Sequence, residues 1–299
     1  TTTTGVSGAF ITGVTGSGTT YTVTVNTGTS SGTIRLDLTD NDTILDLVGN
    51  PLGGAGVGNG DFTTGQTYNI DKVSPSVTMA STTTSSTNVF PIPVTVTFNE
   101  SVTGFTASDI VASNGTVSGF AGSGASYSFN LTPSANGLVT ADVPANAAVD
   151  TDGNGNLATP QFKRTYDSVF PTVTFSNRSG TNPTNASAVS YTVIFSEAVT
   201  GVDIPDFTLA IVTGAITGAS VTGVTGSGTT YTVTVNTGSG SGSLRLNITD
   251  NDSIIDLASN NLGGTGLGNG NFTTGQFFTI DKAGPLPTMS STIGSFTNN

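Results

Sequence analysis

The chain has 299 residues, 34% of them hydrophobic, and a formal charge of −12 from 19 carboxylates against seven bases. It contains no Cys, His or Trp, which excludes disulfides, thiolate and imidazole zinc sites, Ser-His-Asp and Cys-His nucleophiles and imidazole acid-base chemistry. The bases Arg35, Lys72, Lys163, Arg164, Arg178, Arg245 and Lys282 are too few to neutralise phosphate, which argues against nucleic acid and anionic membranes as partners.

No apolar run approaches the roughly 20 residues that span a bilayer. The 40 glycines and the abundant Thr, Ser and Asn accompany short β-branched apolar runs that can bury a core, so the expectation is folded β structure in two or three compact units.

From the front of the chain, "GVTGSGTTYTVTVNTG" occupies positions 13–28 and returns unchanged at 223–238. An offset of 210 aligns Gly13–Lys72 with Gly223–Lys282 without a gap, and 43 of the 60 pairs are identical. This is a duplication. Thr1 corresponds to position 211, past the segment 169–210 that supplies the first two strands of the later copy, so residues 1–72 are expected to be an incomplete unit.

Further along, apolar residues recur at every second position. In one stretch these are Val94, Val96, Phe98, then Tyr127, Phe129, Leu131, then Val139, Ala141, Val143. In the next they are Tyr191, Val193, Phe195, then Tyr231, Val233, Val235, then Leu244, Leu246, Ile248. Period two sends one set to a core and the intervening Thr, Ser, Asn and Asp to water, as in half-buried antiparallel strands. Turn residues between the runs predict seven-strand-like sandwiches.

An Asp stands four residues before a Pro at Asp71, Asp167 and Asp281. These joints divide the chain into an incomplete unit 1–72, full units 73–168 and 169–282, and a tail 283–299. The tail matches residues 73–89, so it reads as the first strand of a following domain or as a donor strand. In the second case it would complete the deficient first unit of another molecule by strand addition, giving a filament.

The paired stretches "TVTFNESVTGFTASDI" and "TVIFSEAVTGVDIPDF", the Asp-x-x-x-Pro joint and the "VDTDGNGN" turn resemble the tandem bacterial Ig-like (Big-type) domains of large surface proteins and adhesins. The resemblance implies an all-β fold of immunoglobulin-like sandwiches in an extended array. It also implies secretion and an extracellular, cell-surface place.

Two kinds of acidic loop invite a metal. In "DTDGNGN", Asp150, Asp152 and Asn154 take positions 1, 3 and 5 of an oxygen-ligand calcium loop with Gly155 at position 6. Position 12 is Gln161 instead of Glu, and Asp and Gly equally suit a plain Asx turn, so both readings stand. "TDNDTILD" and "TDNDSIID" cluster Asp40, Asp42, Asp46 and Asp250, Asp252, Asp256. Such clusters either repel one another in solvent or hold a structural Ca2+. A calcium ion there would stiffen the joint with help from Asp71, Asp167 or Asp281 and from Glu100 or Glu197 of the Phe-x-Glu motif.

Paired carboxylates also serve glycosidases, but these lie on repeat loops without Trp platforms, and no enzyme is expected. Nine Asn-x-Ser/Thr sequons, at Asn41, Asn99, Asn114, Asn130, Asn177, Asn185, Asn247, Asn251 and Asn271, are glycosylation candidates. The expected function is structural: the spacer of a surface adhesin or the body of a surface filament, with the chain itself as the expected partner. The alternative is a glycan-binding module using the Gly/Asn loops 49–61 and 259–271.

Overall fold

The structure is a computed structural model and describes residues 2–290. Two compact units make up the chain, Thr1–Thr83 with Phe90–Arg164, and Thr84–Val89 with Thr165–Asn299. Among the described residues the only helical pieces are two short 3-10 turns, Ala107–Asp109 and Ile204–Asp206. Residues 283–290 carry no strand, and the rest of the tail assigned above to a donor or following strand lies outside the described residues.

The first half-repeat forms β1 (Thr2–Thr4), β2 (Phe10–Ser17), β3 (Thr20–Asn26), β4 (Gly32–Arg35) and β5 (Thr67–Ile70). Strands β1, β4 and β5 make one antiparallel sheet with β4 in the middle, and β2 and β3 form a separate hairpin.

Next come β6 (Val77–Ala80), β7 (Ser86–Thr87), β8 (Ile92–Val102), β9 (Val111–Ser113), β10 (Gly115–Pro133), β11 (Gly137–Asp142) and β12 (Phe162–Tyr166). One sheet has the order β10-β8-β6, and another runs β12-β11-β9. Strand β7 lies parallel to the end of β12, with Thr165 opposite Ser86.

The last set is β13 (Val173–Ser179), β14 (Ala188–Thr200), β15 (Phe207–Gly214), β16 (Ser220–Asn236), β17 (Gly242–Ile248), β18 (Ile255–Asp256) and β19 (Phe277–Ile280). Its sheets, β16-β14-β13 and β15-β17-β19, repeat the order of β10-β8-β6 and β9-β11-β12. The short β18 pairs with the end of β14.

The period-two pattern explains both sandwiches. Every residue singled out above for its alternation, from Val94 to Ile248, is buried. In the later sandwich Tyr191, Val193 and Phe195 of β14 and Tyr231, Val233 and Val235 of β16 meet Leu244, Leu246 and Ile248 of β17 in one core. Burying each such side chain contributes about 1.5–3 kcal/mol. Burial pushes the Tyr191 hydroxyl up to about 12, and that hydroxyl donates to the Leu244 carbonyl.

The repeated "GSG" is the corner at which β16 folds back on itself. Gly226 has φ +140°, and a Cβ there would stand 2.4 Å from the Thr230 carbonyl oxygen, so only glycine fits. The corner brings Thr222 Oγ1 to donate to the Thr234 carbonyl at 3.1 Å, as Thr12 Oγ1 does to Thr24 at 3.1 Å in the earlier copy.

Among the described residues one buried side-chain group is unsatisfied: the Ser176 hydroxyl on β13, 1% exposed, has no hydrogen-bond partner. A buried polar group without a partner is destabilising. Ser176→Ala should therefore raise stability by about 1 kcal/mol in a denaturant titration, whereas the same change at a paired hydroxyl would lower it.

Candidate functional site

In each unit a joint aspartate meets two further carboxylates from distant parts of the sequence. Asp71, Glu100 and Asp150 each bring one oxygen to within 4.8 Å of the others, and Asp167, Glu197 and Asp256 do the same. The two triads are built alike.

Glu100 and Glu197 come from strand alternation. Each sits two residues after an inward phenylalanine, Phe98 or Phe195, and so takes the inward phase near the end of its strand, where it is half-buried. Asp150 and Asp256 reach that end by short bridges: Thr103 N–H donates to the Val149 carbonyl at 2.7 Å, and Thr200 pairs with Ile255.

The loop aspartates start Asp-x-x-x-Asn turns. Asp150 Oδ1 accepts the backbone N–H groups of Asp152 (2.9 Å) and Asn154 (2.8 Å), and its Oδ2 accepts the Asn154 side-chain amide at 2.8 Å. Asp256 does likewise with Ala258 (2.7 Å), Asn260 N–H (2.8 Å) and the Asn260 side-chain amide (2.8 Å).

The same Asn nitrogen then clamps the joint, since Asn154 Nδ2 donates to the Asp71 carbonyl at 3.2 Å and Asn260 Nδ2 to the Asp167 carbonyl at 3.1 Å. The joint prolines are held too: Pro75 O accepts Leu157 N–H at 2.8 Å, and Pro171 O accepts Gly263 N–H at 2.9 Å. Asp46 and Asn50 form the same turn in the first half-repeat, with 2.9 Å and 2.8 Å bonds.

Electrostatics mark the second triad as charge-dense. Burial pushes the Glu197 carboxyl above its usual range, and the charges of Asp256 and Asp167 push it further the same way. At Asp150 burial pushes upward, but the Asn154 side chain and the amides of Asn154, Asp152 and Gly153 outweigh it and leave the carboxyl below its usual range. A group whose pKa is raised on folding is least costly when protonated. The Glu197 contribution to stability is therefore full below the ordinary glutamate range and is lost as pH rises through its elevated folded value.

The other sequence candidates sit elsewhere. Asp152 is exposed, and its carboxylate accepts a 3.4 Å bond from Thr151. Asn154 turns its amide nitrogen, not its oxygen, to Asp150 and the joint.

Asp250 Oδ2 accepts Gly268 and Gly270 N–H groups at 3.1 Å each, and Asp252 Oδ1 accepts Gly266 N–H at 3.1 Å. Asp40 Oδ2 accepts Gly60 N–H at 3.0 Å, and Asp42 accepts Gly56 N–H. Those carboxylates thus pin the Gly-rich loops. At the last joint Asp281 Oδ1 accepts Ala283 N–H at 3.0 Å.

Of the sequons, Asn41, Asn99, Asn185, Asn251 and Asn271 are exposed, and Asn114, Asn130, Asn177 and Asn247 are half-buried. The Asn114 side-chain nitrogen is engaged, donating to the carbonyls of Ala135 and Leu138.

Residues 71–166, the stretch that holds β6 to β12 and the whole first triad, match the family model of a bacterial Ig-like domain. The resemblance read in the sequence is borne out there, and the β13–β19 sandwich repeats its sheet order. No curated protein matches the chain. Among solved structures, invasin, a bacterial integrin-binding protein, matches with 12% identity and a TM-score of 0.32 over 76% of this chain. The match spans 44% of the invasin chain. Among the described residues no helix is long and apolar enough to cross a membrane.

Proposed function

We propose that the chain is an extracellular structural repeat of a bacterial surface protein, a spacer of an adhesin or the body of a surface filament, with no catalytic role. Support comes from the Ig-like match of residues 71–166, from two sandwiches of one strand order, and from the lack of His and Cys.

The observation that carries the reading is the construction of one carboxylate triad twice, each time from a joint Asp, a strand-end Glu and an Asp-x-x-x-Asn turn. Three clustered carboxylates repel one another unless a cation lies among them, and an all-oxygen donor set suits a hard divalent ion such as Ca2+. Asp71, Glu100 and Asp150 would hold one ion, and Asp167, Glu197 and Asp256 another. Each ion would lock a joint aspartate to the sandwich beside it, and the Asn clamp already does this in part.

Pulling the full chain from both ends in an optical trap tests the mechanical role. The expected record is discrete unfolding steps whose force falls when calcium is chelated. Compliant extension without steps would end the spacer reading. Saturable binding of a defined glycan, abolished by changes in 259–271, would replace it with the binding-module reading.

A further inference from the structure

We propose that Asn154 is a site of spontaneous deamidation, at which the amide clamp on the Asp71 joint converts itself into a carboxylate while the Asn260 clamp on the Asp167 joint is spared. The inference does not depend on the cation reading.

The step needs only water. The backbone nitrogen of the following residue attacks the asparagine side-chain carbonyl carbon and gives up its proton. The new C–N bond closes a succinimide ring, and the bond to Nδ2 breaks as ammonia leaves with that proton. Water then opens the ring to Asp or isoaspartate, and nothing is oxidised or reduced. The following residue must own an N–H, and a Cβ on it obstructs the attack.

The Asp-x-x-x-Asn turns differ at this next residue: Pro51 follows Asn50, Gly155 follows Asn154, and Asn261 follows Asn260. Proline has no N–H to give, Asn brings a Cβ and a restricted backbone, and Gly alone is free of both obstacles. The local pairing also leaves the Gly155 N–H unused. Val149 opposes Gly155, and the bonds there come from their neighbours, Asp150 N–H to the Asn154 carbonyl at 3.1 Å and Asn156 N–H to the Ala148 carbonyl at 3.0 Å. In an antiparallel pair of this type the opposed residues turn their own N–H groups outward. At Asn59–Gly60 and Asn269–Gly270, by contrast, the glycine N–H is already donated, to Asp40 at 3.0 Å and to Asp250 at 3.1 Å.

The fold itself requires this labile pair. Asn154 supplies the clamp, donating to Asp150 Oδ2 at 2.8 Å and to the Asp71 carbonyl at 3.2 Å. A Cβ at position 155 would stand 2.0 Å from Asn146 Oδ1 and 3.2 Å from its Cα, so no larger residue fits without moving Asn146. Ring closure takes the Asn154 side chain out of the clamp and onto Gly155. Asn154 is half-buried. Asn260 is 3% exposed, and its oxygen also accepts from Asn88 Nδ2 at 3.1 Å, which holds it more firmly.

Conversion puts an acceptor-only carboxylate where an amide donated. It then faces the Asp150 carboxylate and the Asp71 carbonyl, and repulsion releases the joint segment that the clamp held.

The test holds the full chain at mildly alkaline pH over weeks and follows each asparagine by peptide mapping with isoaspartate detection. Asn154 should convert about tenfold or more faster than Asn260, and Asn50 should not convert by this route. Asn136, exposed and followed by Gly137, shows that the conditions suffice. Leu157 N–H, which donates to the Pro75 carbonyl at 2.8 Å, reads the release. Its exchange should be about tenfold faster in the converted chain and in an Asn154→Asp variant, with exchange at Gly263 unchanged. Conversion of Asn136 with Asn154 intact, conversion of Asn154 no faster than of Asn260, or Leu157 exchange unmoved by Asn154→Asp would overturn the proposal.

Discussion

Leu246→Ala should destabilise the β13–β19 sandwich by about 3 kcal/mol, whereas Leu36→Ala, the same change 210 positions earlier, should cost well under about 1 kcal/mol. Leu246 is fully buried among β14, β16 and β17 residues, so truncation leaves a cavity whose walls relax only partly. Leu36 is 38% exposed on the bare face, where little packing is lost. Urea unfolding of the two variants of the full chain, followed by residue-resolved exchange, separates them. Equal costs would mean that the first half-repeat has a closed core after all.

Asn260→Ala should cost roughly 2–4 kcal/mol, the second large effect. One buried side chain there donates to the Asp256 carboxylate and the Asp167 carbonyl, and its oxygen accepts from the Asn88 amide at 3.1 Å. Removing it strands a buried carboxylate oxygen and a joint carbonyl without their donor, which costs more than the mean value of a hydrogen bond. Asn50→Ala removes the same turn bond at an exposed Asp46 and should cost well under about 1 kcal/mol, because water replaces the lost donor. A thermal denaturation series comparing the two asparagines checks the ranking.

The strands were legible because period two is a local property: alternation at Tyr191, Val193 and Phe195 dictates which side faces inward whatever the partner strand is. Burial was not local in the same way. Tyr21 and Tyr231 sit in identical sixteen-residue contexts, yet one is bare and one is covered, because β14 arrives from outside the repeated stretch.

For the acidic groups, sequence reasoning pointed to the joint aspartates and to Glu100 and Glu197, but the proximity of Asp71 to Asp150 depends on chain topology. The clearer signal was the Asp-x-x-x-Asn spacing at 46–50, 150–154 and 256–260. It names Asn154 and Asn260, which clamp the joints, and Asn50, which closes the same turn on Asp46. That glycine N–H groups fold back onto Asp40 and Asp250 was not legible, because composition does not reveal loop geometry.

The acidic triads make the central claim quantitative. Without a cation, charged Glu197 faces Asp167 and Asp256 at neutral pH, and repulsion lowers stability. In the proposed calcium-bound form the same group would serve as a ligand. The most direct measurement is the thermal midpoint of the full chain at neutral pH in chelator and in about 10 mM calcium, alongside a Glu100→Gln, Glu197→Gln double variant. The account predicts a rise of roughly 3–8 °C with calcium in the unaltered chain. It predicts that the double variant melts higher than the unaltered chain in chelator and does not respond to calcium. A midpoint indifferent to calcium in the unaltered chain would contradict it.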